Sequence, residues 1–179
     1  MSDSRQTFAR RGPDARGMTF RVLPIEPTRL AAIIESGRDH LGNPVQPWPV
    51  EGWEPLRCCL RIAEPDDQIA LVAYRPFDDL SPWSEVGPVF VHTAGCPGYD
   101  DPARLPQRLR TGPRILRTYH ADGSMDYADI TLVPAGEDIE SALTDLLRQP
   151  GVAFVHVRSA TAQCFTYEVR SAGDTPVVA

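Results

Sequence analysis

The chain has 179 residues, of which 42% are hydrophobic and 23% are charged, a composition typical of a globular domain large enough to bury its own core. Its formal net charge of −6 argues against a nucleic-acid partner, because neutralisation of phosphates by basic side chains supplies most of the affinity for DNA and RNA. All 18 basic residues are arginines, so Schiff-base chemistry and a P-loop, which both need a lysine, are excluded.

The cysteine count, the N-terminal residues and the length of the apolar runs indicate the cellular compartment. Four cysteines are few for a disulfide scaffold of this length. The N-terminal residues are polar and arginine-rich, without the apolar segment of a secretory signal. No apolar run approaches the ~20 residues that span a bilayer. We therefore expect a reduced, cytoplasmic protein that has no membrane partner.

The N-terminal part of the chain begins with residues 1–17, which we expect to be a disordered leader because they hold too few apolar side chains to order themselves. Alternating apolar and polar residues predict a strand over residues 18–24. A helix opened by a proline and closed by a glycine follows over residues 27–34. Thirteen glycines and 18 prolines indicate long structured loops, the first over residues 38–55.

Hairpins dominate the rest of the chain. Two-residue alternation over residues 56–63 and 68–75 predicts the first hairpin. The dipeptide Asp122-Gly123, typical of tight turns, predicts another. The remaining strands are predicted over residues 88–91, 114–121, 125–133, 152–158 and 164–170, with one helical turn over 105–109 and one amphipathic helix over 137–148.

The predicted order of elements, β-α-β-β-β-β-β-α-β-β, defines the fold class. It has too few helices for a parallel sheet, because every parallel strand pair needs a crossover connection. We therefore predict a single α+β domain over residues 18–171, with a largely antiparallel curved sheet of about seven strands and two main helices. Residues 172–179 are expected to form a flexible tail.

Ionisable side chains recur on the faces of the predicted strands, although the motifs GxGxxG, GxxxxGK[ST], HExxH, CxxC and GxSxG are absent. Residues two apart on a strand share a face. Arg117 and Tyr119 therefore share one face, and His156 and Arg158 share another. His92 ends the strand that precedes a loop rich in glycine and proline. Faces that converge would present these groups to one concavity.

This pattern leads to the hypothesis of a small, cofactor-independent enzyme that acts on an anionic organic molecule by general acid–base chemistry. Arginine forks suit carboxylates and phosphates, and imidazole titrates near neutral pH. Isomerisation, cyclisation and hydrolysis stay open, as does the oligomeric state. The candidate residues are His92, His156, Tyr119 and Cys96 for catalysis, and Arg57, Arg117, Arg158, Tyr74 and Tyr99 for substrate binding.

Two alternatives accompany this hypothesis. A non-catalytic module could bind a metabolite or a peptide in the same pocket, since it needs only the arginines and apolar walls. A zinc-binding protein could use His92, Cys96, His156 and Cys164 as a tetrahedral ligand set, although neither pair has the spacing of a standard zinc knuckle. The interpretation without a functional site is that each polar strand face is exposed to solvent.

Three further residues have narrower expectations. On the predicted strand over residues 56–63, Cys58 falls on the apolar face and is expected in the core, whereas Cys59 falls on the opposite face and could reach the pocket. Glu85 is one of the carboxylates nearest these elements in sequence and could orient a histidine.

Several segments of the chain resemble the bacterial domain of unknown function 1203 family. They are PLRCCLRIAEP, YRPF, SPWSEVGPVFVH, the following Cys96-x-x-Tyr99, LRTYHADGSM and VAFVHVRSATAQCF, and the similarity covers residues 18–170. The resemblance implies no substrate or mechanism, because the family is uncharacterised. It implies only that the following residues fall within family-typical motifs: Arg57, His92, Cys96, Tyr99, Arg117, Tyr119, His156 and Cys164. The chain departs from the family pattern at Tyr119-His120, where an aspartate is more typical than the histidine.

Overall fold

The structure is a computed structural model that describes residues 19–173. Its elements are β1 (Phe20–Leu23), α1 (Pro27–Ser36), β2 (Pro47–Trp48), β3 (Ile69–Tyr74), β4 (Gly87–His92), β5 (Arg114–Tyr119), β6 (Met125–Val133), α2 (Glu140–Leu147), β7 (Phe154–Ser159) and β8 (Phe165–Ser171). The α+β class, the two helices and the antiparallel arrangement of the strands are confirmed. The predicted leader lies outside the described residues, as does the predicted tail from residue 174 onward.

The eight strands are divided between two antiparallel sheets. The larger sheet has the order β1-β8-β7-β5-β6, and the smaller has the order β2-β3-β4. Hairpin connections link β3 with β4, β5 with β6, and β7 with β8, as expected for a chain with few helices.

The two sheets have separate hydrophobic cores. One face of the larger sheet, including Leu116 and Val157, packs against Leu143 and other apolar residues of α2. The smaller sheet and α1 enclose the second core, which also contains Phe165 from β8. The larger sheet therefore has α2 on one face, and its other face meets the smaller sheet.

The helices begin and end for local reasons. Gly37 ends α1 in the left-handed conformation (φ 65°), and its N–H donates to the carbonyl of Ile34. Helix α2 begins later than predicted, at Glu140, because the backbone of the preceding residues pairs with the loop before β5: Gly112 N–H donates to Glu137, and Ile139 N–H donates to Arg110. None of the described helices is long and apolar enough to cross a membrane.

The predicted strand over residues 56–63 is wrong, and so is the hairpin that it was expected to form with β3. This segment folds into a tight turn in which Leu60 N–H donates to the Leu56 carbonyl at 3.0 Å and Leu60 takes a positive φ of 60°. Cys58 and Cys59 are both buried, so the polar and apolar alternation does not correspond to two faces. The strands paired with β3 are β2 and β4.

Candidate functional site

The strand register places the predicted polar groups of β5 and β7 side by side. Arg117 lies opposite His156, and Arg158 lies opposite Ile115, so all four share one face of the larger sheet. On the next strand, β8, Glu168 lies opposite His156. This face turns toward the smaller sheet rather than toward α2.

A cavity of about 370 Å³, here called the arginine pocket, opens where this face meets the smaller sheet. Arg117, Arg158 and Phe165 contribute from the larger sheet, Tyr74 contributes from β3, and the loop before β4 contributes Glu85. Cys164 and two prolines, Pro76 and Pro88, also line the walls. The volume lies within the range of about 300–1,000 Å³ found for small-molecule sites.

The Glu85 carboxylate holds both arginines of the pocket. Arg117 Nη1 donates to both of its oxygens, at 2.6 and 2.7 Å, and Arg158 Nη1 lies 2.7 Å from Oε2. Glu85 therefore pairs with the arginines instead of orienting a histidine. Burial lowers the pKa of Arg117, but the hydrogen bond that Arg117 donates to Glu85 and the charge of that carboxylate outweigh it, so the pKa lies above its ordinary value. Burial dominates at Arg158, whose pKa is lowered.

Several polar atoms beside the pocket are left without partners. The Arg158 Nε and Nη2 atoms and the Tyr119 hydroxyl are buried and have no hydrogen-bond partner within residues 19–173. Burial raises the pKa of Tyr119, so its phenol stays protonated. Unsatisfied donors in a native fold are uncommon, which marks this region as a candidate for binding a hydrogen-bond acceptor.

His156 lies behind the pocket in an aromatic cluster. Its side chain is fully buried, and its ring centroid lies 4.7 Å from that of Tyr119 and 5.1 Å from that of Phe77. Its Nε2 contacts Glu168 Oε2 at 3.1 Å. Burial lowers the pKa of His156, which keeps the imidazole neutral. Burial raises the pKa of Glu168, but hydrogen bonds from His156 and Arg170 outweigh it, so Glu168 stays ionised.

Arg57 and Tyr99, two of the predicted substrate-binding residues, lie outside the arginine pocket. The Arg57 guanidinium is buried and donates to the Phe165 carbonyl at 2.6 Å and to the Pro55 carbonyl, so it ties the turn over residues 56–63 to β8. Burial lowers its pKa to about 10. Tyr99 lines a different cavity, of about 640 Å³, and its hydroxyl donates to the Arg104 carbonyl at 2.7 Å.

His92 and Cys96 meet at another location, together with Cys58 and Cys59. We call these four residues the thiol–imidazole cluster; their ligand atoms all lie within 4.8 Å of one another. His92 Nδ1 lies 3.4 Å from Cys58 Sγ and 3.7 Å from Cys59 Sγ. The interaction between the two neighbouring thiols lowers the pKa of Cys59 and, together with burial, raises that of Cys58.

These contacts correct the ligand set His92, Cys96, His156 and Cys164. Only the first two lie in the cluster: His156 bonds to Glu168, and Cys164 Sγ donates to the Ala162 carbonyl at 3.4 Å beside the arginine pocket. Nor do His92 and His156 share the pocket, since neither lines it. Their acid–base roles stay a prediction.

Two carboxylates were missed among the site residues. Asp67 belongs to a turn and contacts His92 Nε2 at 3.2 Å, and it also forms a two-pronged ion pair with Arg61 and accepts from the Glu64 N–H. Glu168 lies opposite His156 across a hairpin whose register is shifted by a bulge at Val157 and Arg158. The only sequence signal for Glu168 was its expected pairing with a histidine across a hairpin. The bulge shifts that pairing, so residue spacing alone does not reveal it.

The comparisons with known proteins agree with the motifs of the sequence. No curated protein and no solved structure matches the chain. A family model described as "Protein of unknown function (DUF1203)" matches residues 53–171, more than half of the chain, and this range contains both the arginine pocket and the thiol–imidazole cluster. The chain therefore belongs to the DUF1203 family, as its motifs predicted.

Proposed function

We propose that this protein binds a small anionic organic molecule in the arginine pocket, as a non-catalytic binding module. The observation that carries the proposal is the convergence of Arg117 and Arg158, whose side chains are 13% and 5% exposed, on one cavity where they share a single carboxylate, Glu85. Two guanidinium groups and one carboxylate leave a net positive charge, which favours an anion.

The chemistry of the two arginines favours a carboxylate or a phosphate. A guanidinium group presents planar, paired N–H donors that match the oxygens of these anions. Arg158 has two donors, Nε and Nη2, without partners within the described part of the chain, so its hydrogen-bonding capacity is not exhausted by Glu85. Glu85 is 43% exposed, so its carboxylate can be hydrated at a modest cost in free energy when a ligand carboxylate replaces it as the partner of the arginines.

The size and walls of the pocket favour a metabolite over a peptide. A cavity of about 370 Å³ is near the lower end of the range for small-molecule sites. Phe165 and Pro88 supply apolar wall beside the arginines. We infer a ligand with one or two anionic groups and a short apolar part.

Binding is favoured over catalysis because no histidine of residues 19–173 lines the pocket. A general acid or base must come within hydrogen-bond reach of the reacting atom. His156 is fully buried behind Tyr119, and burial raises the pKa of Tyr74, the tyrosine that lines the cavity, to about 12. Neither His156 nor Tyr74 is therefore suited to proton transfer near neutral pH.

Calorimetric titration of the full chain with acetate, succinate, citrate and inorganic phosphate tests this proposal, with uncharged succinamide as the matched ligand. Arg117→Gln is expected to weaken the tightest anion by about 10- to 100-fold, the equivalent of one lost charged hydrogen-bond pair. Arg110→Gln is the control, because Arg110 pairs with Asp138 and Glu140 outside the pocket. Binding that is absent for every anion, or equal in both variants, would overturn the proposal. Chemical conversion of a bound anion would favour the enzyme instead.

A further inference from the structure

We propose that the thiol–imidazole cluster is a zinc site in which Cys58, Cys59, Cys96 and His92 bind one Zn²⁺ ion. Three thiols and an imidazole form a recognised ligand set for this ion. The inference does not depend on the arginine pocket, which shares no residue with the cluster.

The distances between the donor atoms fit a tetrahedral ion. Zinc–sulfur bonds of about 2.3 Å and zinc–nitrogen bonds of about 2.0–2.1 Å place two sulfurs about 3.8 Å apart and a sulfur and a nitrogen about 3.6 Å apart. His92 Nδ1 lies 3.4 Å from Cys58 Sγ and 3.7 Å from Cys59 Sγ. The widest separation in the cluster is no more than 4.8 Å, so a small side-chain adjustment completes the tetrahedron.

The imidazole of His92 is oriented as a metal ligand is. Its Nδ1 faces the sulfurs, while its Nε2 lies 3.2 Å from Asp67 Oδ1. Arg61 holds that carboxylate with two hydrogen bonds of 2.6 and 2.7 Å. Its Nη2 lies 3.1 Å from Nε2 but can only donate, so Asp67 is the acceptor for a proton on Nε2. A proton on Nε2 that is donated to Asp67 leaves the Nδ1 lone pair free for the ion, which is the usual carboxylate–histidine–zinc arrangement.

A backbone N–H group supports one of the two adjacent sulfurs. The N–H of His92 donates to Cys58 Sγ at 3.3 Å. The turn that brings both side chains to one point contains Leu60 in a left-handed conformation with φ 60°. Such strain in a leucine is uncommon and concentrates where function requires a special geometry.

Burial of the cysteines as small apolar side chains would explain Cys58 and Cys59 but not the direction of His92. The imidazole is only 3% exposed and turns Nδ1 toward sulfur, a poor hydrogen-bond partner, while Nε2 takes the carboxylate. An ion bound by the three sulfurs and Nδ1 gives this nitrogen a strong partner. Zn²⁺ binding displaces the three thiol protons to solvent as the three zinc–sulfur bonds form.

The position of the site indicates a structural role. Four protein ligands close the coordination shell, as in structural rather than catalytic zinc sites. The ion would join three segments: the turn that holds Cys58 and Cys59, the end of β4 at His92, and the loop of Cys96. Cys59 lines the cavity of about 640 Å³, which offers the ion a path of entry.

Elemental analysis of the purified full chain and titration of the chelator-treated chain with Co²⁺ test the proposal. We expect about one zinc per chain and, with Co²⁺, the visible bands of tetrahedral cobalt together with thiolate-to-cobalt charge-transfer absorption. Asp67→Asn is expected to weaken Co²⁺ binding by about 10- to 100-fold while the thiolate absorption persists at saturation. Cys96→Ser should reduce the thiolate absorption, whereas Cys164→Ser, which changes the thiol outside the cluster, should leave the metal spectrum unchanged.

Two results would overturn the zinc site. One is zinc far below one ion per chain together with a Co²⁺ spectrum that lacks thiolate bands. The other is an unchanged spectrum in Cys96→Ser. Should the cysteine variants fail to fold, the Co²⁺ spectrum of the unaltered chain decides alone, because thiolate charge transfer reports sulfur ligation directly.

Discussion

Replacing Glu85 by glutamine is expected to lower stability and raise anion affinity at the same time. The substitution keeps the shape and one oxygen of the side chain but removes the charge that neutralises Arg117 and Arg158. The two guanidinium groups then lie in the arginine pocket without a counter-ion. The folded state is therefore destabilised, and an anion from solution binds more tightly.

The expected size follows from the exposure of the three side chains. A hydrogen bond to a charged group contributes about 1.5–3 kcal/mol when it is buried. Arg117 and Arg158 are 13% and 5% exposed, but Glu85 is 43% exposed, so solvent screening reduces the loss to about 1–2 kcal/mol. For a domain of this size that lowers the melting temperature by about 2–8 °C. The same free energy raises the affinity for succinate by about 5- to 30-fold.

Thermal unfolding with and without succinate, followed by calorimetric titration, measures both effects. Glu140→Gln is the matched control, since Glu140 pairs with Arg110 on an exposed surface and is 51% exposed. We expect Glu85→Gln to unfold earlier than wild type in plain buffer and to recover most of the difference in succinate. Equal melting temperatures and equal succinate affinities in wild type and Glu85→Gln would refute the reasoning.

Three other changes have definite expected outcomes. Burial lowers the pKa of His156 below its ordinary 6.5, so the unfolded chain takes up a proton that the folded chain does not. Urea unfolding should therefore show a free energy of unfolding that falls below about pH 6.5, by up to about 1.4 kcal/mol per pH unit. His156→Gln should remove that part of the slope but leave the contribution of His40. A methyl group at Gly112 would lie 1.9 Å from the Pro134 carbonyl oxygen, so Gly112→Ala should lower the free energy of unfolding by at least about 2 kcal/mol. The methyl group of Gly87→Ala meets nothing within 4 Å, so this control should lose far less stability. Equal losses in the two variants would contradict the steric argument. Removal of zinc by a chelator should lower the free energy of unfolding by about 4 kcal/mol relative to a sample whose free zinc is about 1,000 times the Kd, and an unchanged urea midpoint would contradict a structural role.

The fold class was predictable because local signals agreed with one another. Strong alternation and turn dipeptides predicted β5 and β6, and the proline and glycine around α1 predicted that helix. The error over residues 56–63 has a physical origin. Cys58, Cys59 and Leu60 are all buried in a turn, and the arginines that separate the apolar residues donate to carbonyl and carboxylate groups of the protein. The alternation of residue types therefore reflects the tertiary contacts of a turn and not the two faces of a strand.

The site was predictable only in part, for a similar reason. Same-face spacing found Arg117 and Arg158, because strand geometry determines which side chains share a face. Spacing along the chain does not reveal which faces meet, so the convergence of Cys58 and Cys59 with His92 was hidden. The bulge at Val157 hid the partner of His156 in the same way. Long-range contacts, and not local pattern, assemble both sites.

A crystal structure of the full chain grown with the tightest-binding anion of the panel is the most direct test of the proposed binding function. We expect the oxygens of that anion within about 3 Å of the guanidinium nitrogens of Arg117 and Arg158, with the Glu85 carboxylate moved away from at least one of them. An anion bound at another surface, while both arginines keep their contacts with Glu85, would contradict the proposal.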